Sequence, residues 1–158
     1  MHGKETRMKE SVSIRVIRGE KIVYLSCLAK LSFMELLYKE LTGKIVDCAV
    51  IVHKLLGPGL LESAYEECLF FELQNTGLGV LKQIPMPLIY RDKKLEIGYR
   101  IDLLVEEKVV IEVKSVDALN PIHTAQLLTY LKLSGCRIGL LINFNVQFLK
   151  EGIRRIIL

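Results

Sequence analysis

Two runs of Ile, Leu and Val carry three charged residues whose types and spacing suit metal binding and the hydrolysis of a phosphate ester. The runs are Tyr99-Arg100-Ile101-Asp102-Leu103-Leu104-Val105 and Val109-Val110-Ile111-Glu112-Val113-Lys114-Ser115-Val116, separated by Glu106-Glu107-Lys108. Such runs around a short charged break predict an antiparallel hairpin. Pairing Val105 with Val109 sets Asp102 opposite Glu112 and Arg100 opposite Lys114, and the period of two puts Asp102, Glu112 and Lys114 on one face. Opposed Cβ atoms lie about 4.5–5.5 Å apart, close enough for two carboxylates to share one divalent cation. Without a cation the pair repels.

Ionised groups within apolar strands are costly unless paired or bound to metal. The bland alternative is a half-exposed sheet on which these three are ordinary surface residues. Half-exposed strands alternate cleanly, and the near-continuous apolar run here does not. A Glu-x-Lys triplet alone carries no information, and Glu106-Glu107-Lys108 in the turn is a decoy of that kind.

The elements that must position these residues are legible in the rest of the chain. At 158 residues, 51% hydrophobic and 25% charged, it reads as one globular domain with a real core, not as a disordered chain. No apolar run approaches the ~18 residues of a membrane span. Residues 1–33 hold seven Lys/Arg against three Glu and so carry the whole formal charge of +4. Nucleic-acid binding by the remainder must therefore rest on a local patch and not on bulk charge. Cys27, Cys48, Cys68 and Cys136 form no Cys-x-x-Cys pair, which argues against zinc and iron–sulfur sites and for a reduced, cytoplasmic protein.

Residues 1–33 lack a sustained period and read as a peripheral extension, with Met34 as a natural start and 34–158 as the functional domain. From Met34, Leu36, Leu37, Leu41, Ile45, Cys48, Ala49, Val52, Leu55 and Leu56 recur at helical spacing, with Thr42-Gly43 as an interruption or a start. Gly57-Pro58-Gly59 forces a turn. A second helix is expected over 60–75, with Leu61, Ala64, Tyr65, Cys68, Leu69 and Leu73 on its core side. Glu62 in its first turn either complements the helix dipole or reaches into a site. Val80 to Tyr90, with Pro85 and Pro87, suits an edge strand, and residues 91–94 suit a polar turn. Asn120-Pro121 predicts a helix start and Gly135 its stop. Gln126 and Tyr130 share one face of that helix, with His123 on the same side, as either an amphipathic exterior or part of a site. Strands over 137–144 and 153–158 complete an α/β sandwich, a central mixed sheet flanked by helices.

Three stretches together resemble a known pattern. They are Gly59-Leu60-Leu61-Glu62-Ser63-Ala64-Tyr65, Asp102 followed ten residues later by Glu112-Val113-Lys114, and Gln126-x-x-x-Tyr130. In this order they resemble the GxxExxY protein family, a small RecB-like branch of the PD-(D/E)XK nuclease superfamily, over roughly Met34 to Leu158. Leu141 to Asn145 and Gly152 to Ile156 are similar to that family's closing stretches. Ile101 stands where the superfamily's name has Pro, and residues 1–33 have no counterpart. The resemblance implies a restriction-endonuclease-like core in which Asp102 and Glu112 hold Mg²⁺ or Mn²⁺ with the Val113 carbonyl, and Glu62 adds an acidic group. Lys114 would position the attacking water or offset charge on the phosphorane. Gln126 and Tyr130 would orient Lys114, the water or the DNA backbone.

The leading expectation is therefore a metal-dependent nuclease acting on DNA. The alternative is a catalytically silent module that keeps the fold and binds nucleic acid or protein. A protein partner or a homodimer is compatible with either.

Overall fold

The Asp102/Glu112 hairpin lies at the centre of a five-stranded sheet. The computed structural model describes residues 13–17, 20–24, 27–95 and 98–158, with side chains from residue 38 onward except within the 96–97 gap. It divides into two compact units, 1–40 and 41–158. In the first, β1 (Ser13–Ile17) and β2 (Glu20–Tyr24) pair antiparallel where the sequence showed no sustained element. Helix α1 (Cys27–Leu56) begins there and carries the chain into the second unit.

Within the second unit the elements are α2 (Glu62–Asn75), β3 (Val80–Pro85), β4 (Leu88–Tyr90), β5 (Lys93–Leu95), β6 (Arg100–Val105), β7 (Val109–Lys114), α3 (Pro121–Ser134), β8 (Ile138–Asn143), α4 (Leu149–Gly152) and β9 (Ile153–Ile157). The sheet runs β3-β6-β7-β8-β9. Only β7 and β8 are parallel, and α3 is the crossover that a parallel pair requires. Helix α2 packs on β3, β6 and β7, and α3 on β7 and β8. The result is the mixed sheet flanked by helices of a restriction-endonuclease-like fold. Among the described residues no helix is long and apolar enough to cross a membrane.

Most elements follow from local chemistry. On α1, Ile45, Cys48, Ala49 and Val52 recur every three or four residues and are all buried. Thr42-Gly43 neither interrupts nor starts it; the helix is continuous and Thr42 is buried. Leu55 and Leu56, expected on the apolar stripe, face out at its last turn, Leu55 with 74% of its surface exposed. Helix α2 starts two residues later than expected because Leu61 is extended at the N-cap, and Leu61 is 77% exposed. At the start of α3, Asn120 Oδ1 accepts from Ile122 N and His123 Nδ1 accepts from Asn120 N. Gly135 ends it at φ +73°.

The expected single strand over 80–90 is two, because the pairing of β3 with β6 carries on only as far as Met86, whose N–H is donated to Tyr99 O, and Pro87 has none to give. Lys93 and Lys94, expected within a turn over 91–94, belong to β5 and pair with β4 instead. The one-turn α4 is too short to show a period. Cys48 and Cys136 are buried and Cys68 half-buried, all three as free thiols.

The hairpin register is the expected one, Val105 opposite Val109 and Leu103 opposite Ile111. Glu106 and Glu107 both hold φ +53° in its turn, a left-handed conformation unfavourable for residues with a Cβ. Glu106 is anchored there by hydrogen bonds from its N to Gly79 O and from Gly79 N to its Oε1. One close approach on β8 is testable. A Cβ on Gly139 would lie 2.8–2.9 Å from three side-chain carbons of Leu127 on α3. Gly139→Ala should therefore destabilise the fold by about 1–3 kcal/mol in urea unfolding. A neutral result would show that α3 moves aside freely.

Candidate active site

The ladder between β6 and β7 stops one position short of the carboxylates. Its last pair is Leu103 with Ile111, so Asp102 and Glu112 are not the directly opposed ladder pair expected from the register. Asp102 Oδ2 instead accepts the backbone N–H of Val113 at 2.8 Å. The side chain thus takes a donor that a neighbouring strand's carbonyl would otherwise meet, and the strands part. The same happens on the other side of β6. Gln83, the β3 residue at the level of Asp102, drops out of the β3–β6 pairing and sits at φ +54°. Asp102 therefore lies where the ladder is interrupted on both flanks.

Strands β7 and β8 are buried at every position, which rules out the solvated-face reading for Glu112 and Lys114. Glu112 is 2% and Lys114 9% exposed. Lys114 Nζ donates to Glu112 Oε1 at 2.6 Å. Glu112 Oε2 is buried with no hydrogen-bond partner. An orphaned carboxylate oxygen costs free energy, and a hard cation would satisfy it.

The electrostatics follow from this burial. Desolvation raises the Asp102 carboxyl to about 6 despite the Val113 hydrogen bond and the Lys114 charge, with Glu66 and Glu62 adding to the rise. Desolvation, then the Asp102 charge, raises Glu112 to about 7 against the pull of Lys114. For Lys114, desolvation lowers the pKa, but the hydrogen bond and charge of Glu112 outweigh it and leave the value raised. Lys114 is therefore a firmly protonated ammonium beside carboxylates that readily hold protons.

Helix α2 reaches this centre through the Gly59–Tyr65 stretch. Gly59, at φ +103°, makes the turn. Tyr65, fully buried, donates its hydroxyl to Gly57 O at 2.6 Å and accepts from Leu60 N at 3.1 Å. Its ring stacks on Phe144 at 4.5 Å. The turn so held presents Leu60 O to Ser115 Oγ at 2.6 Å and Glu62 Oε1 to Ser115 N at 3.2 Å. Glu62 is thus fastened beside the end of β7, next to Lys114. On α3, Gln126 Nε2 donates to Tyr130 Oη at 3.0 Å. Tyr130 is buried, and desolvation with the Glu112 and Asp102 charges raises its phenol against the Gln126 hydrogen bond. These two residues are not an amphipathic exterior.

The fold thus gathers Asp102, Glu112, Lys114, Glu62, Gln126 and Tyr130 around the end of β7, while Val113 enters through its N–H. His123 is engaged in the α3 cap, away from this role. Sequence reasoning missed Glu66, whose two carboxylate oxygens both meet Gln83 Nε2 at 2.7 Å, with Arg100 Nη1 donating to Gln83 Oε1 at 3.1 Å. The spacing of Glu66 four residues after Glu62 was its one signal. It also missed Asn143, which binds both the N–H and the carbonyl of Val116 and fixes the chain leaving β7.

The donor set fits a hard divalent ion. Among the described residues no three His, Cys, Asp or Glu side chains form a complete metal cluster. A Mg²⁺-like ion needs fewer, since it keeps several waters and binds through one or two carboxylates plus phosphate oxygens.

No curated protein and no solved structure matches the chain. A family model described as the PD-(D/E)XK nuclease superfamily matches residues 39–156. That span takes in all of the sheet but the last residue of β9 and nearly all of the second unit, with Asp102, Glu112, the lysine two residues on and the glutamate that α2 fastens beside them. The chain belongs to the PD-(D/E)XK nuclease superfamily.

Proposed function

We propose that the protein is a Mg²⁺- or Mn²⁺-dependent nuclease hydrolysing phosphodiester bonds in DNA, and that it belongs to the RecB-like GxxExxY group. The observation that carries this reading is Glu112 Oε2, a buried oxygen without a partner, on a carboxylate whose other oxygen holds the Lys114 ammonium and which feels the charge of Asp102. Asp102, Glu112 and the Val113 carbonyl would hold the ion, with Glu62 as a further acidic group. A bound divalent ion supplies charge neutralisation at phosphate and a more acidic water. Lys114 would position the attacking water or offset charge on a phosphate oxygen, and Tyr130, held by Gln126, would help to orient these groups. The docking of the Gly59–Tyr65 turn on Ser115 supports the group assignment, since it gives each named residue of that stretch a role at the site. Three free thiols suit a cytoplasmic setting.

A silent binding module is the second reading. It is favoured by the Lys114–Glu112 ion pair, which partly satisfies the centre without any ion. Incubating purified protein and Glu112→Gln with a panel of DNA substrates in Mg²⁺ or Mn²⁺ separates the two. Cleavage by the native chain alone supports the nuclease; binding without cleavage in any divalent ion supports the module.

We also propose that residues 1–33 are peripheral to this activity. The match begins at residue 39 and the second unit at residue 41. A chain starting at Met34 should keep nearly the same urea unfolding midpoint, and a loss of several kcal/mol would count against the proposal.

A further inference from the structure

Where β3 ends and β6 begins lies a cavity of about 340 Å³ whose lining includes none of the residues of the hydrolytic centre. Its walls are Pro85, Met86, Pro87 and Tyr99, and its cationic residues are Arg100 and Lys94. Tyr99 and Arg100 immediately precede the Ile101-Asp102 step on β6. Arg100 is two residues from Asp102, roughly 7 Å along a strand. Within its wall Met86 N donates to Tyr99 O at 2.8 Å. Two contacts tie the cavity to the site. The Tyr99 ring meets the edge of Tyr130 with centroids 6.4 Å apart and planes at 77°. Arg100 Nη1 is held by Gln83 Oε1, itself held by Glu66.

The chemistry of these walls selects a ligand class. An aromatic ring left 40% exposed, flat proline rings and a thioether offer a stacking surface. Arginine from β6 and lysine from β5 in the same lining offer charge to a phosphate. Single-stranded nucleic acids are bound by this combination of aromatic platforms and basic side chains. The volume is at the small end of ligand pockets, room for one base and not for a stacked base pair. A base inside a duplex reaches such a space only by leaving the stack, at a cost of a few kcal/mol, which is least for an already unpaired base.

We propose that this cavity seats the base of an unpaired nucleotide adjoining the scissile phosphate, so that the substrate is nucleic acid with a single-stranded segment at the point of cleavage. This rests on the nuclease reading. It adds a specificity site on the β3–β6 edge in which Tyr99 stacks on the base and Arg100 and Lys94 meet the flanking backbone.

The test is binding in EDTA, where no cleavage intervenes. One probe is a DNA hairpin with a single-stranded tail carrying 2-aminopurine at the first unpaired position. The other is a blunt duplex in which the same 2-aminopurine is paired. The tailed DNA should bind at least about tenfold more tightly, with its fluorescence quenched on binding. Tyr99→Ala should lose the quenching and about tenfold in affinity for the tailed probe alone, and Tyr99→Phe should keep both. Equal affinity for the two probes, or a Tyr99→Ala protein that binds and quenches like the native one, overturns the assignment and leaves the nuclease reading intact. Failure to bind either DNA overturns the assignment as well, and the nuclease reading is then decided by the cleavage assay in Mg²⁺ or Mn²⁺.

Discussion

Lys114→Ala is expected to cleave DNA at least about a hundredfold more slowly than the native protein while keeping a response to divalent ions. Holding an ion requires the carboxylates. Hydrolysis further requires a donor aimed at charge that develops in the transition state, and removing such a donor typically costs about 10²–10³ in rate. Lys114 suits that role because its ammonium is buried, firmly protonated and already within the site at 2.6 Å from Glu112. Its removal also leaves Glu112 buried without its cation, which raises that carboxyl further. The ion response of Lys114→Ala should accordingly move to higher pH, since ion and proton compete for the same oxygens. Lys108→Ala, in the turn, should change neither rate nor response. Lys114→Ala cleaving as fast as the native protein would remove the active site from this hairpin. Native protein that binds DNA without cutting it, with Lys114→Ala merely weakening binding, would favour the silent module.

The second large effect is on stability, through the two carboxylates. Their folded pKa values, about 6 for Asp102 and about 7 for Glu112, lie above ordinary values of 3.8 and 4.5. Between those limits the folded state binds more protons than the unfolded one, so unfolding free energy falls as pH rises. In EDTA the stabilisation from protonation should be fully present below about pH 4 and gone above about pH 7. At pH 8, Mg²⁺ or Mn²⁺ should restore stability by mass action, by about 2.7 kcal/mol at a hundred times the dissociation constant. Asp102→Asn is the informative variant. Its side-chain oxygen can still accept the Val113 N–H, so it removes charge while sparing the hydrogen bond. It should unfold with a shallower pH dependence and little response to the ion. Equal stabilisation of variant and native protein would place the ion elsewhere.

What the amino-acid sequence determined by itself is whatever depends on near neighbours. The register of the Asp102/Glu112 hairpin followed from one turn and a period of two. The limits of α3 followed from Asn120, Pro121 and Gly135, whose backbone chemistry acts within a turn of each residue. The order of acidic, acidic, basic and Gln/Tyr residues was also legible, and with it the superfamily. Tertiary structure decided how those residues meet. Asp102 leaves the strand ladder because its carboxylate captures Val113 N, eleven residues away, and no local propensity encodes such a capture. Glu62 is fixed by Ser115 across 53 residues and Asn143 by Val116 across 27. Side-chain-to-backbone bonds of that range leave no periodic signature, because only packing of the helices on the sheet brings their ends together. Gln83 was invisible for the same reason: a polar residue in a short strand shows nothing until Glu66 from α2 and Arg100 from β6 close on it. The same packing excludes water around Glu112 and Lys114, turning charges tolerable on a surface into a buried pair with one oxygen unsatisfied.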